Sequence, residues 1–448
     1  MGSEAVKSVR AGALAFAVLC VVLGVRPAPA AAQFFATCRD GSERDLDKAI
    51  RAHDEQTDLL HRKFVTGWYG KALSPDFVPT TRIHVQAFLR ALRPRRAAVL
   101  FYAHDEGRGR FCTWLLGEDG VLASHVAPMR EGELLDLHEG MLRSIGASGI
   151  AVRGPVRRRQ LVPFESLESI DVGVTPDVAS ERLLPPSVRS TLEAKRIDTL
   201  TIIPISVLGT LPFAALPFGD GQVVDLAAIT VAPGFFAFRA LPKRATSDFT
   251  RAVVVGDPRI EDSDWDVPPL PGARAEASQV AKLVGADAWI GNGATKTRVE
   301  AAAKSEPLGL VYLATHGVAS SLHPRDASLL FMSDGVWPAA EIQNLRLPAR
   351  PLVVLSACQT GLGKDFGVGT IGMARAWHYA GAGSVVMSFW NVNDESTAEL
   401  MTDFLRRARG APPEIALRAA MLAARERHSD PASWAGFGVF GVPGRVSP

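Results

Sequence analysis

A histidine and a cysteine stand 42 positions apart, each just beyond an apolar run. Ala314-Thr315-His316-Gly317 follows LGLVYL at 308–313. Ser356-Ala357-Cys358-Gln359-Thr360-Gly361 follows PLVVL at 351–355. The thiolate is the reactive form of cysteine, and a nearby imidazole promotes its formation. The two side chains could therefore act as nucleophile and general base in acyl transfer. Gly317 would let the chain pass close to a bound carbonyl, and its N–H could donate to an oxyanion. The N–H of Cys358 could be the second donor. Either residue alone is more often a packed one, since free cysteine is among the most buried side chains. Their placement on two run ends, each with glycine close by, is what points to chemistry.

For the two side chains to meet, both runs must be parallel strands of one sheet, where neighbours lie about 5 Å apart. The surrounding pattern agrees. Residues 199–204 (TLTIIP), 252–256 (AVVVG), 308–313, 351–355 and 384–388 read as buried strands. Residues 271–283, 369–379 and 395–407 read as helices, and LPFAALPF at 211–218 as a packed turn. Strands alternating with helices predict an α/β fold with a mainly parallel sheet and helices on both faces. Sites in such sheets lie beyond the carboxyl ends of the strands. Ahead of this core, residues 97–102 and 111–116, with a third run from 121, read as a small β meander. Residues 150–195, with Arg157-Arg158-Arg159, read as a charged, proline-bearing connection and a solvated basic patch. Residues 45–92 read as a helical lead-in without a 34-residue repeat.

ATHG at 314–317 and LVVLSACQTGLG at 352–363 resemble the signature of the CHAT domain, a caspase-like peptidase family. The resemblance continues through GxxGxARAW at 369–377, AGAGSVVMSFWNVNDESTAELM at 380–401 and WAGFGVFG at 434–441. It also runs backward through LPGARAEASQV, VVVGDP, LTIIPISVLGTLPFAALPF and AAVLFYAHDEGRGRFCTWLL, so it covers about residues 90–448. It implies a caspase-like sheet, with caspases, separases and gingipains as distant relatives. It maps His316 onto the general base and Cys358 onto the nucleophile of a cysteine endopeptidase that works through a thioester. The spacing is comparable to the roughly 50 residues of caspases. The caspase pentapeptide is absent, so specificity for aspartate is not implied. Trp390 and Asp394 resemble the W-x-V-x-D stretch after the family's pocket strand. Trp390 could wall a substrate pocket and Asp394 could pair with a basic residue, or Asp394 could cap the helix that follows. No cofactor or metal is expected. The expected partners are a protein or peptide substrate and a regulatory protein, with no nucleic acid. The alternative is a catalytically silent module that keeps the fold.

The chain divides on this reading into a signal peptide (1–32), the lead-in (33–92) and a CHAT domain (93–448). The last comprises a meander and connection (93–198) and the α/β core (199–448). Lys7 and Arg10 precede an apolar run at 11–25, and Ala30-Ala31-Ala32 offers a cleavage site. This is a secretory signal pattern, the alternative being an uncleaved membrane anchor. The expected location is periplasmic or extracellular. Lys plus Arg number 49 and Asp plus Glu 47, a balance that argues against a general nucleic-acid binder. Cysteines fall at 20, 38, 112 and 358, without zinc-site spacing. In an exported chain Cys38 and Cys112 could pair and leave Cys358 outside the bridge, or all three could be separate buried thiols. The glycines at 367, 369 and 372 match a dinucleotide fingerprint only as letters, because they do not directly follow a strand. His323 and Asp326 are too few for a metal site.

Overall fold

Eleven strands form one sheet. In chain order they are β1 Ala97–Asp105, β2 Arg110–Gly117, β3 Gly120–Pro128, β4 Thr199–Ile203, β5 Ala228–Val231, β6 Ala252–Pro258, β7 Ala288–Gly291, β8 Leu310–Ala314, β9 Leu352–Leu355, β10 Ser384–Ser388 and β11 Phe437–Gly441. The spatial order is β7-β6-β8-β9-β10-β11-β5-β4-β1-β2-β3. The chain is described by a computed structural model that covers residues 38–66, 73–130, 132–147, 157–158, 174–242, 249–261, 265–318, 328–356, 363–365, 370–390 and 394–445. These residues belong to one unit, Ala36–Pro448. Strands β4, β8 and β9 are buried along their whole length and are correspondingly rich in Val, Ile and Leu.

Pairing is parallel within β7-β6-β8-β9-β10 and within β11-β5-β4-β1. The two blocks are joined by the antiparallel pair β10–β11. The sheet is therefore mainly parallel, as expected, but its halves run in opposite directions. The carboxyl ends of β6, β8, β9 and β10 share one edge, while those of β1, β4 and β5 lie at the other. The meander β1-β2-β3 is antiparallel.

The longer helices are α1 Glu43–Thr66, α2 Arg82–Ala91, α3 Glu133–Ser144, α4 Pro176–Leu183, α5 Pro186–Ala194, α6 Pro271–Val284, α7 Lys296–Ser305, α8 Met373–Ala380, α9 Asp394–Ala408 and α10 Pro413–Arg425. None of the described helices is long and apolar enough to cross a membrane. Both sheet faces are covered. Val439 of β11 borders the α10 residues Leu417 and Met421, whereas the next residue, Phe440, meets the His378 ring of α8. Successive strand residues point to opposite faces, so α8 and α10 lie on opposite sides. Helices α4 and α5 occupy part of the stretch read as a proline-bearing connection. Proline starts each of them, where its missing N–H costs nothing. The helix expected over 369–379 begins at Met373. Thr370–Gly372 pairs instead with Gly363–Asp365, since glycine is a poor helix former. Arg157 and Arg158, read as part of a solvated patch, pair with Asp266 and Trp265. Arg159 lies outside the described residues.

The lead-in is part of the core. Along α1, Leu46, Ala49, Ile50, His53 and Thr57 are buried at helical spacing. The His53 ring stands edge-on to Phe101 of β1 and to Phe235. Phe88 of α2 meets Phe238 in the same way. Cys38, just ahead of α1, is disulfide-bonded to Cys112 of β2, with the Cα atoms 5.9 Å apart. The C-terminal segment meets the entry to β1 at Arg95, whose guanidinium contacts Glu414 of α10 at 2.7 Å, the carbonyl of Gly444 and the hydroxyl of Thr199. Both ionic side chains are almost wholly buried, at 6% and 1% exposure.

Two outcomes follow for stability. The disulfide closes a separation of 74 residues, for which chain entropy gives about 4 kcal/mol. Cys38→Ala or Cys112→Ala should lower the thermal midpoint, and non-reducing peptide mapping should recover the Cys38–Cys112 bridge. Burial also lowers the pKa of His53 to about 3 and those of His138 and His378 to about 4. The unfolded chain binds these protons below about 6.5, while the folded chain does not. Stability should therefore fall as the pH drops from about 6.5 toward 4, by up to about 2 kcal/mol per imidazole at pH 5. Urea midpoints at pH 7, 6 and 5 measure this, and a flat series would contradict it.

Candidate active site

Strands β8, β9 and β10 lie side by side and parallel, with Leu313, Leu355 and Met387 in register. His316 is three residues beyond Leu313, and Cys358 is three residues beyond Leu355. The two neighbouring strands that precede these positions in the chain end at the same edge of the sheet. Cys358 itself, with residues 357–362, lies outside the described residues. So do His323, Asp326 and the glycines at 367 and 369.

His316 is held from both sides of its residue. Its backbone carbonyl accepts from the N–H of Phe331 at 3.0 Å. The preceding Thr315 hydroxyl donates to the Phe331 carbonyl at 2.5 Å. These bonds fasten the end of β8 to the hairpin Leu329–Met332 and Gly335–Pro338. The ring contacts the carbonyl of Pro268 through Nε2 at 2.8 Å. A carbonyl only accepts, so Nε2 carries the hydrogen and Nδ1 is the acceptor atom of the imidazole. That is the tautomer a general base requires, with its far nitrogen oriented by a fixed partner. The residue is 2% exposed.

Gly317 and Leu330 face each other in the small ladder that continues from His316. The neighbouring bond joins His316 O to Phe331 N, which makes Gly317–Leu330 a non-hydrogen-bonded pair. The Gly317 N–H therefore points away from the hairpin.

Trp390 is two residues beyond β10, on the same edge. It is buried, and its Nε1–H donates to the carbonyl of Ala432 at 3.3 Å. Ala432 belongs to the short turn Pro431–Ser433, which Asp430 caps by accepting from the Ala432 N–H. Phe389 lies beside the Trp390 ring. It fits there because β11 carries Gly438, where a Cβ would stand 2.3 Å from the Phe389 ring. Asp394 is the first residue of α9, and its carboxylate lies outside the described side chains. The apolar cavity under α10, bordered by Phe213, Ile229, Phe389, Glu414 and Met421, includes neither His316 nor Trp390. Among the described residues no three His, Cys, Asp or Glu side chains form a group that could hold a metal.

The sequence reading missed the Pro268 carbonyl. Its signal is present as Val267-Pro268-Pro269-Leu270-Pro271, a rigid stretch poor in N–H groups, but no letter marks a backbone acceptor as part of a site.

The CHAT domain matches residues 178–442, more than half of the chain. Tetratricopeptide repeat protein 28 of Mus musculus is 28% identical over 246 residues, and that of Homo sapiens is 27% identical over 250 residues. Each match covers 45% of this chain and 10% of the relative, so the chain spans about a tenth of those proteins. Among solved structures, the Saccharomyces cerevisiae separase–securin complex is similar with a TM-score of 0.54 and 12% identity. The similarity covers 92% of this chain and 35% of that one. It is a likeness of fold. With its mixed α/β sheet, its antiparallel meander and the matched core, the chain belongs to the CHAT domain family, whose fold is caspase-like.

Proposed function

We propose that this chain is an exported cysteine endopeptidase in which Cys358 is the nucleophile and His316 the general base. The observation that carries the reading is the 2.8 Å contact of His316 Nε2 with the Pro268 carbonyl, which calls for an Nε2–H imidazole, just beyond the strand next to the one that leads to Cys358. Nδ1 takes the thiol proton, and the thiolate sulfur attacks the peptide carbonyl carbon. The oxyanion is met by the N–H groups of Gly317 and Cys358. The C–N bond then breaks as the imidazolium returns its proton to the leaving amine, leaving a thioester. Water attacks the thioester, giving its proton to His316, and the carboxylic product and the thiol are released. No metal is needed for these steps.

Two further observations support parts of this reading. The Cys38–Cys112 bridge suits an oxidising compartment and leaves Cys358 outside it. The near-complete burial of His316 suits an enzyme whose cleft opens only on activation. The same burial favours the second reading, a silent interaction or regulatory module with a CHAT fold. Substrates are proteins or peptides; Asp394, the first residue of α9, either favours a basic side chain before the scissile bond or caps that helix.

The test is cleavage of a diverse peptide library by the mature, reduced protein beside Cys358→Ala and His316→Ala. Each variant should lose roughly 100- to 10,000-fold in kcat/KM. Equal cleavage by all three would exclude the dyad, and none by the folded wild type, with or without candidate activators, would favour the silent module. Asp394→Ala should selectively lose Arg and Lys substrates; an unchanged preference would leave Asp394 as a helix cap. N-terminal sequencing of the exported protein should give a start near Gln33, and a retained segment would indicate an anchor.

A further inference from the structure

We infer that Asp257 is a positioning residue for His316, acting through the carbonyl of Pro268. The inference rests on the peptidase reading only for its effect on turnover; its effect on the imidazole stands on geometry. Asp257 is the penultimate residue of β6, the strand between β7 and β8, and has a left-handed backbone with φ +46°. This conformation is uncommon for a residue with a side chain, and aspartate tolerates it better than most. Gly256 precedes it. A Cβ on Gly256 would lie 2.4 Å from the Ala277 Cβ and 2.8 Å from the Ala273 carbonyl, so the strand end lies directly against α6. The left-handed turn then carries the Asp257 carboxylate to the start of that helix.

Both carboxylate oxygens are used. Oδ1 accepts from the N–H of Leu270 at 2.7 Å, and Oδ2 accepts from Nε of Arg274 at 2.9 Å. Asp257 is buried, while the Arg274 side chain is about half exposed. The Leu270 bond is thus the sheltered one, and charge assistance strengthens it.

The chemistry of the neighbouring segment makes that bond decisive. Pro268, Pro269 and Pro271 have no N–H, so Leu270 is the only backbone donor between 268 and 271. The ring of Pro269 fixes its φ. With Leu270 N anchored, little rotation remains between it and the Pro268 carbonyl. That carbonyl is the acceptor that holds Nε2 of His316. The chain of restraint runs from a strained strand end, through one carboxylate and one amide, to the tautomer of the base. A carboxylate at a helix start also stabilises the helix. A capping role alone would change stability and leave the imidazole as it is.

The experiment uses the full mature chain carrying 15N-labelled histidine. The 15N shifts of His316 report the Nε2–H fraction and need no turnover. In Asp257→Ala this fraction should fall, and kcat should drop roughly 10- to 100-fold, with KM within about 2-fold. Asp257→Asn offers a neutral acceptor and should give a smaller change in the same direction. Arg274→Ala keeps the Leu270 bond and should leave the tautomer as in the wild type. Folded Asp257→Ala with an unchanged His316 spectrum would overturn the inference. If Asp257→Ala does not fold, an unchanged spectrum in Asp257→Asn would do the same. Should the wild type cleave nothing, the peptidase reading fails while the tautomer measurement still decides the role of Asp257.

Discussion

The antiparallel pairing of β10 with β11 is the constraint on which the rest of the sheet depends. The last strand of the chain runs against β10 and along β5, and so joins two parallel blocks that would otherwise each present a bare edge. The junction is tight. Gly438 makes room for the Phe389 ring and Gly441 adopts φ +149°, while on the other side of β10 Gly383 lies so close to the Arg350 carbonyl ahead of β9 that a Cβ would stand 2.6 Å from it. Small residues at this seam let the strand ends approach, which in turn fixes the edge from which β8, β9 and β10 project their loops.

A second layer of constraint comes from polar groups carried into the core. Arg95 and Glu414 face each other with almost no solvent, and the guanidinium is completed by Thr199 and Gly444. Removing one partner of such a pair is costly because the other remains charged and buried. Arg375 of α8 is also buried and donates to the carbonyl of Pro233, beyond β5. Its positive charge helps depress the buried imidazoles of His53 and His378, although desolvation is the larger cause for both. These groups join the lead-in helix, the two sheet blocks and the last helix into one body. Their fixed positions demand one arrangement of the elements, where apolar packing alone would tolerate several.

The candidate site inherits its precision from the frame. Two backbone groups orient His316: a carbonyl from the proline segment and a ladder bond to Phe331. Backbone acceptors do not titrate and do not change rotamer, so the tautomer they impose is independent of pH over the range where the imidazole is neutral.

The buried strands β4, β6, β8, β9 and β10 and the helices after β6 and β10 were legible in the amino-acid sequence, because apolar runs and helical spacing are local properties. His316, Gly317 and Cys358 were singled out because glycine beside reactive side chains at strand ends is a local signal, and the order of the longer segments identified the family. Helices α4 and α5 were obscured by the prolines that start them. The start of α8 was misplaced because the glycines at 369 and 372 fitted a helical spacing they do not support. Three features were decided only by the tertiary structure: the opposed direction of the two sheet blocks, the Cys38–Cys112 bridge, which the sequence left as one of two options, and the Pro268 carbonyl that orients His316. Each depends on groups distant in the chain meeting in space. A one-dimensional pattern records what a segment prefers, whereas strand direction, a disulfide and a backbone acceptor are decided by which segments pack together.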